Sequence, residues 1–349
     1  LTTSELGATE SEIINSDLVI TTYRFLHDRV QQSGYALIDS KLQTAIHLQI
    51  GRLLLANISP ERRAERIFEI ADHLNSGRNL IIDAHEKIEL AILNLTAARK
   101  AKDATAYAAA RDYLKFGLEI LPGDIWQESY ELAFTFHKEL AETEYLNGNF
   151  EESEALIEVA FVRAKSDLEK AEIYNILIVQ YTLLSKYQEA IQSGLKALQL
   201  LGIDLDEDNL SEAVNAEMAA AKANLANQEI AALINADKMK DPAQQMAMKL
   251  LGNMGPLTFF SSQELWKLTV IKAINLSLKY GFVAGGSYCY SCYGIILNSI
   301  LGDYQSAYEF GRLALTLSEN SNNLSQNCQD SVIFANYLNC WVRPLKTTA

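Results

Sequence analysis

The stretch SKYQEAIQSGLKALQL, residues 185–200, decides how this chain is read. Counting from Tyr187, Ala190 stands 3 residues on, Gly194 7, Ala197 10 and Leu198 11. Those offsets share one face of a helix. Small side chains hold most of that face, as expected where two backbones approach closely.

The same spacing recurs. From Tyr107 it gives Ala110, Leu114, Gly117 and Leu118; from Phe150 it gives Ser153, Ile157, Ala160 and Phe161; from Tyr304 it gives Ala307, Gly311, Ala314 and Leu315. Short turns precede the aromatics, as in Gly-Asn-Phe150, Ser-Lys-Tyr187 and Gly-Asp-Tyr304. The pattern resembles the second helix of a tetratricopeptide repeat, whose turn carries a glycine and an aromatic before buried alanines. Successive origins lie 43, 37 and 117 residues apart, whereas a regular array steps by about 34. The resemblance therefore implies a degenerate all-α fold, a right-handed superhelix of tetratricopeptide-like hairpins, with an insertion around 205–260.

Apolar residues recur at helical spacing almost everywhere, as in Ile67, Ile70, Ala71 and Leu74. Helices are expected near 18–39, 41–56, 60–76, 83–101, 104–121, 125–147, 151–165, 169–185, 188–201, 210–234, 243–251, 263–280, 286–301, 304–320 and 327–341. All five prolines are expected at element boundaries, with Ser59-Pro60 and Asp241-Pro242 as N-caps followed by proline. Ser261-Ser262-Gln263-Glu264 reads as a capping box.

The 349 residues are 49% hydrophobic and 21% charged, with a net charge of −14. That composition suits a folded protein and repels a phosphate backbone. The densest basic group, Arg62, Arg63 and Arg66, alternates with Glu61, Glu65 and Glu69. It reads as a solvated helix face, and no nucleic-acid partner is expected. Residues 280–302 carry no charge, yet their glycines, serines and Asn298 suit a buried close helix contact better than a membrane span. No signal peptide is visible. The chain opens on Leu1 rather than methionine, so a fragment or processed product is expected.

Chemistry-bearing residues concentrate in TTYRFLHDRVQQSGYALID, residues 21–39. Leu26-His27-Asp28-Arg29-Val30-Gln31-Gln32 resembles the phosphoacceptor helix of one histidine-kinase class, in which the acidic neighbour orients the imidazole. No nucleotide-binding box follows it. No glycine precedes a lysine, so GxxxxGK[ST] is absent. His27, His47, His73 and His85 all lie early, but none precedes His27 as an H…HD…D metal constellation requires, and the spacings do not force convergence. Cys289 and Cys292 have CxxC spacing, with Cys328 and Cys340 further on; in an apolar, small-residue helix the pair is expected to pack as small hydrophobes. No G-x-S-x-G elbow occurs, and His137 is the only later histidine. Glu151 and Glu152 read as solvated, and the acidic run 204–208 reads as a loop rather than a calcium site. No catalytic residue, cofactor or metal is expected.

A longer resemblance runs from about residue 20 to the end. It is carried by Tyr23–Ile38, then His47-Leu-Gln-Ile50-Gly51-Arg52 and Ile67-Phe68-Glu69-Ile70-Ala71-Asp72-His73-Leu74-Asn75. Further matches are Ala106-Tyr107, Tyr113-Leu114, Leu278-Lys-Tyr280-Gly281, Tyr293-Gly294-Ile295-Ile296-Leu297 and Phe310-Gly311-Arg312-Leu313-Ala314-Leu315. These resemble bacterial multi-sensor hybrid kinases, in which a serine/threonine kinase and an AAA-type signalling ATPase precede a long helical region. A GAF sensor and a histidine kinase follow it. The resemblance implies a lead at 1–20, a segment at 21–100 that includes the end of the ATPase winged-helix part, repeats at 101–204, and an insertion with further repeats at 205–349.

The function it implies is a cytoplasmic, non-catalytic module for protein–protein interaction and signal relay, partnered by neighbouring kinase or ATPase domains. The alternative is phosphotransfer at His27, served in trans. In the first reading Asp28 and Arg29 pin the first helix, while Phe25, Leu26, Val30 and Leu37 pack inward. Docking is expected on the first helices of the hairpins, with Tyr130, Phe134, Tyr174 and Tyr181 as candidate anchors.

Overall fold

A computed structural model describes residues 28–226, 228–283, 285–321 and 324–343. Its helices are α1 (Asp28–Ala36), α2 (Ser40–Asn57), α3 (Pro60–Glu65), α4 (Ile67–Ser76), α5 (Ala84–Asp103), α6 (Tyr107–Ile120), α7 (Ile125–Glu128), α8 (Tyr130–Leu146) and α9 (Phe150–Arg163). They continue as α10 (Asp167–Leu183), α11 (Tyr187–Leu200), α12 (Leu210–Leu225), α13 (Pro242–Ser261), α14 (Gln263–Tyr280), α15 (Ser287–Ile296), α16 (Tyr304–Asn320) and α17 (Leu324–Ile333). Every named element among the described residues is helical, and an isolated bridge between Lys238 and Phe282 is the only β pairing among them.

The described residues form two compact units that divide between Thr143 and Glu144. In the first, α2 packs on α4, α4 on α5 and α5 on α6. In the second, α10 pairs with α11, α13 with α14 and α15 with α16, around one core that extends from Ala171 to Leu338.

The sequence repeat corresponds to a repeated turn. Two residues before the first three aromatics, the backbone is left-handed: φ is 58° at Thr105, 84° at Gly148 and 58° at Ser185. The next residue donates its N–H five residues back, Ala106 to Ala101 at 2.9 Å, Asn149 to Glu144 at 2.9 Å and Lys186 to Tyr181 at 2.8 Å. These are Schellman closures, which satisfy carbonyls that a helix end otherwise leaves bare. At the fourth site Gly302 is left-handed too, with φ 65°. There Asp303 donates six residues back, to Leu297, because Leu297–Leu301 is a π turn.

After each turn the small positions are buried as the spacing predicts: Ala110, Ser153, Ala190 and Ala307 at the first, and Gly117, Ala160, Ala197 and Ala314 at the third. Ser153 hydrogen-bonds the buried Gln180 at 2.9 Å, so the one polar member is satisfied. What approaches the glycines is a side chain of a following helix rather than its backbone. A β-carbon at Gly117 would lie 2.5 Å from the Phe136 ring, one at Gly194 would strike Met254, and one at Gly311 would lie 2.7 Å from Phe334.

Several boundaries differ from expectation. The helix read over 60–76 breaks at Arg66 (φ −102°, ψ 20°), whose guanidinium grips Glu69, and the one over 125–147 breaks at Ser129 (φ −142°, ψ 47°). The span read over 210–234 stops at Leu225, and a 3₁₀ turn covers Ile230–Asn235. The helix expected over 243–251 runs on to Ser261. The last one, expected over 327–341, gives way after Ile333 to a π turn and a 3₁₀ turn. Ser59 makes no side-chain cap bond; Asp241 does. Ser262, not Ser261, caps α14, while Glu264 pairs with Lys267; the reciprocal capping box stands at Ser166 and Glu169. The uncharged stretch 280–302 is interrupted by Gly281 (φ 94°), and no described helix is long and apolar enough to cross a membrane.

The turn can be tested by paired substitutions. Gly148→Ala is expected to cost about 1–2 kcal/mol, the strain of an L-residue in left-handed backbone, since open space surrounds the site. Ser185→Gly should stabilise by a smaller amount, because glycine's extra unfolded entropy offsets part of the relief. Urea denaturation measures both; losses of equal size in the two variants would rule out backbone conformation as the cause.

Candidate functional site

His27, Phe25 and Leu26 lie outside the described residues, as do the side chains of Asp28 and Val30. Arg29 is exposed. Leu37, expected to pack inward, is 88% exposed, because it sits past the end of α1 where Ile38 turns back onto the Tyr35 carbonyl. Two other histidines meet instead. His47 of α2 and His73 of α4 bring their Nδ1 atoms to 2.7 Å, and the Tyr35 hydroxyl lies 2.7 Å from His47 Nε2.

This meeting has a local cause. Leu48 lies over Gly77, where a β-carbon would stand 2.5 Å from its own, and Leu74 lies over Gly51 at 2.6 Å. The helices therefore run antiparallel and close, each leucine filling the other's glycine gap. The sequence carried the signal twice, as His47-Leu-Gln-Ile-Gly51 and His73-Leu-Asn-Ser-Gly77, without its being read. His85 takes no part: it is exposed beside Glu89.

The proposed aromatic anchors are largely consumed by packing. Phe134 is buried and stacks on Tyr130, while Trp126 lies against the buried His137 at 4.6 Å. His137 Nδ1 donates to the Ala133 carbonyl at 2.7 Å, and burial lowers its pKa. Tyr174 and Tyr181 lean half-buried on the second unit's core.

A recess within the second unit lies elsewhere, a cleft of about 930 Å³ walled by α13, α15 and α17. Met248, Gly252 and Pro256 line one side, Tyr288 and Cys289 the base, and Val332 and Ile333 the other. A neighbouring cleft of about 500 Å³ shares Met248, Lys249 and Gly285 with it. The expectation that prolines mark boundaries fails here, since Pro256 is inside α13. A proline has no N–H and crowds the carbonyl four residues back. That carbonyl belongs to Gly252, which leaves room for the ring and lacks its α-helical donor. It also has nothing within 4 Å of a built β-carbon.

Behind this cleft the cysteines are separated in role. Cys289 and Cys292 are buried on α15, Cys328 is exposed on α17 and Cys340 is partly exposed. Burial pushes the Cys289 thiol up to about 12 and Cys292 higher, so both stay protonated, as small hydrophobes. Among the described residues no group of three or more His, Cys, Asp or Glu is placed to hold a metal ion. Asp330 of α17, wholly buried, accepts from Ser291 Oγ at 2.7 Å, while its Oδ2 and the Ser287 hydroxyl have no hydrogen-bond partner. Burial raises its pKa, against the pull of the neighbouring serine hydroxyls. Sequence reading missed this carboxylate, because nothing local distinguishes it from a surface aspartate.

A raised carboxyl pKa means that the fold gains stability as Asp330 protonates and loses it as pH rises through the folded-state value. Asp330→Asn should therefore leave stability at pH 7 unchanged or higher and flatten its pH slope, since an amide keeps the Ser291 bond and offers a donor to Ser287. Asp330→Leu should lose about 1–3 kcal/mol by stranding the Ser291 hydroxyl. Melting both variants between pH 5 and 8 checks this.

No family model matches the chain. It is similar to the hybrid signal transduction histidine kinase G of Dictyostelium discoideum, at 27% identity over an alignment 353 positions long. The alignment covers 88% of this chain and 10% of the relative, so the chain spans about a tenth of the length of the curated protein it matches. The relative is eukaryotic, so the similarity lends no support to a bacterial source.

Proposed function

We propose that this chain is a tetratricopeptide-like, right-handed helical-repeat module that relays signals by protein–protein interaction within or beside a cytoplasmic hybrid kinase. Catalysis, including any kinase or AAA-type ATPase activity, belongs in this reading to other parts of such a protein. The similarity to a hybrid histidine kinase supports the signalling context. The repeated Schellman turn and the filled glycine gaps support the repeat.

The observation that carries the reading is the cleft walled by α13, α15 and α17, each the first helix after a hairpin boundary. Its occupant is an apolar segment of a neighbouring kinase domain that presents an N–H to the Gly252 carbonyl. Lys249 at the rim suits an acidic residue on that segment. Extended concave surfaces of this kind are what stacked repeats leave free for partners.

Gly252→Phe tests this directly, because open space receives the ring and a helix gains propensity when glycine is replaced. The variant should melt like the wild type and bind purified hybrid-kinase segments at least tenfold more weakly by calorimetric titration. Unchanged binding by a folded variant, or no binding by the wild type to any segment, would end the proposal.

A further inference from the structure

We propose that His47 and His73 form a proton-counting latch, which fastens α2 to α4 while the pair holds at most one added proton and releases it when both imidazoles are charged. The geometry is a three-member chain: Tyr35 hydroxyl, His47 Nε2, then His47 Nδ1 facing His73 Nδ1, each link 2.7 Å. With both rings neutral, one Nδ1 carries hydrogen and the other accepts; the Tyr35 hydroxyl donates or accepts to match. With one added proton the chain still closes. A charged His47 donates to both neighbours, or a charged His73 donates to His47 Nδ1 while His47 Nε2 donates to the Tyr35 oxygen. With two added protons, N–H faces N–H and like charges stand in contact. Only that state breaks the link.

The surroundings determine which state the fold prefers. Burial and the charge of His47 lower the pKa of His73, against Glu69 and Asp72 on its own helix. Both carboxylates are already engaged: Arg66 holds Glu69 through two bonds of 2.7 and 2.6 Å, and the Tyr113 hydroxyl of α6 donates to Asp72 at 2.7 Å. From α5, Lys100 is turned to the Ala64 carbonyl, Glu86 to Arg52 and His85 to Glu89; from α3, Arg63 is turned to the Ile58 carbonyl. Both carboxylates still favour charge on His73, but among the described residues these bonds turn neither of them onto the imidazoles. A depressed folded-state pKa contributes stability above histidine's ordinary value, about 6.5, which is lost as pH falls through the folded value.

Release would loosen α2, and through Tyr35 the end of α1, on α4, while the leucines stay seated over Gly51 and Gly77. The test uses the 349-residue chain. Histidine ring nitrogens are titrated by NMR, and α2 amide exchange, corrected for its intrinsic pH dependence, is followed from pH 7.5 to 5. The expected result is two separate protonation steps shared by His47 and His73, with α2 losing at least tenfold protection in the second. His73→Gln should abolish that pH-dependent loss, and should the variant not fold, the wild-type titration decides alone. Independent titration of the two rings, the same protection loss in folded His73→Gln, or a titration shifted by EDTA, which would mark a metal site, would each overturn the latch.

Discussion

A large buried side chain seated in the gap left by a glycine on an earlier helix is the contact from which the rest of this structure follows. Phe136 fills the gap at Gly117, Met254 the gap at Gly194, and Phe334 with Leu338 the gap at Gly311. Protein interiors pack like crystals, so such a gap accepts one occupant at one depth. It fixes how closely the two helices that share it approach. The glycines within these helices cost propensity, about 1 kcal/mol each relative to alanine, and are tolerated because the seat they make is worth more. Leu48 over Gly77 and Leu74 over Gly51 apply the same device to α2 and α4, and there it brings two imidazoles face to face.

What could be read from the chain was whatever repeats along one helix face. Ala190, Gly194 and Ala197 announced a buried stripe, and the structure buries them. Breaks at Arg66 and Ser129 were not legible, because neither residue is a helix breaker. Pro256 misled for the opposite reason: its local rule is strong, but Gly252 four residues earlier removes the clash on which the rule rests. The candidate site was less legible than the fold. The cleft is made of residues separated by up to several helices, and Asp330 gains its character only from burial against two other helices, which also bring the serine hydroxyls that oppose its raised pKa. The doubled His-Leu-x-x-Gly was in plain view, but its meaning needs the knowledge that the two copies run antiparallel.

The cleft and the Asp330 cluster belong together mechanically. Asp330 is a buried carboxylate joined by a hydroxyl to α15, and its helix forms one wall of the cleft. A charge in that position adds little net stability, since desolvation consumes most of what its partners return. It does define where α17 must sit, because sliding the helix would strand the carboxylate among apolar neighbours. The shape of the recess is in this sense held by a polar contact in an otherwise apolar interior.

The fourth turn differs from its three counterparts by one residue, closing on Leu297 six positions back where the others close five back. In an α-helix one residue is about 100° of rotation. The π turn at Leu297–Leu301 absorbs that surplus, so α16 still buries Ala307, Gly311 and Ala314 although the count leading to it has changed. The buried face of α16 thus keeps its direction although the residue count has drifted. A comparison that aligns letters by number will lose the thread at this point, whereas one that follows azimuth will keep it.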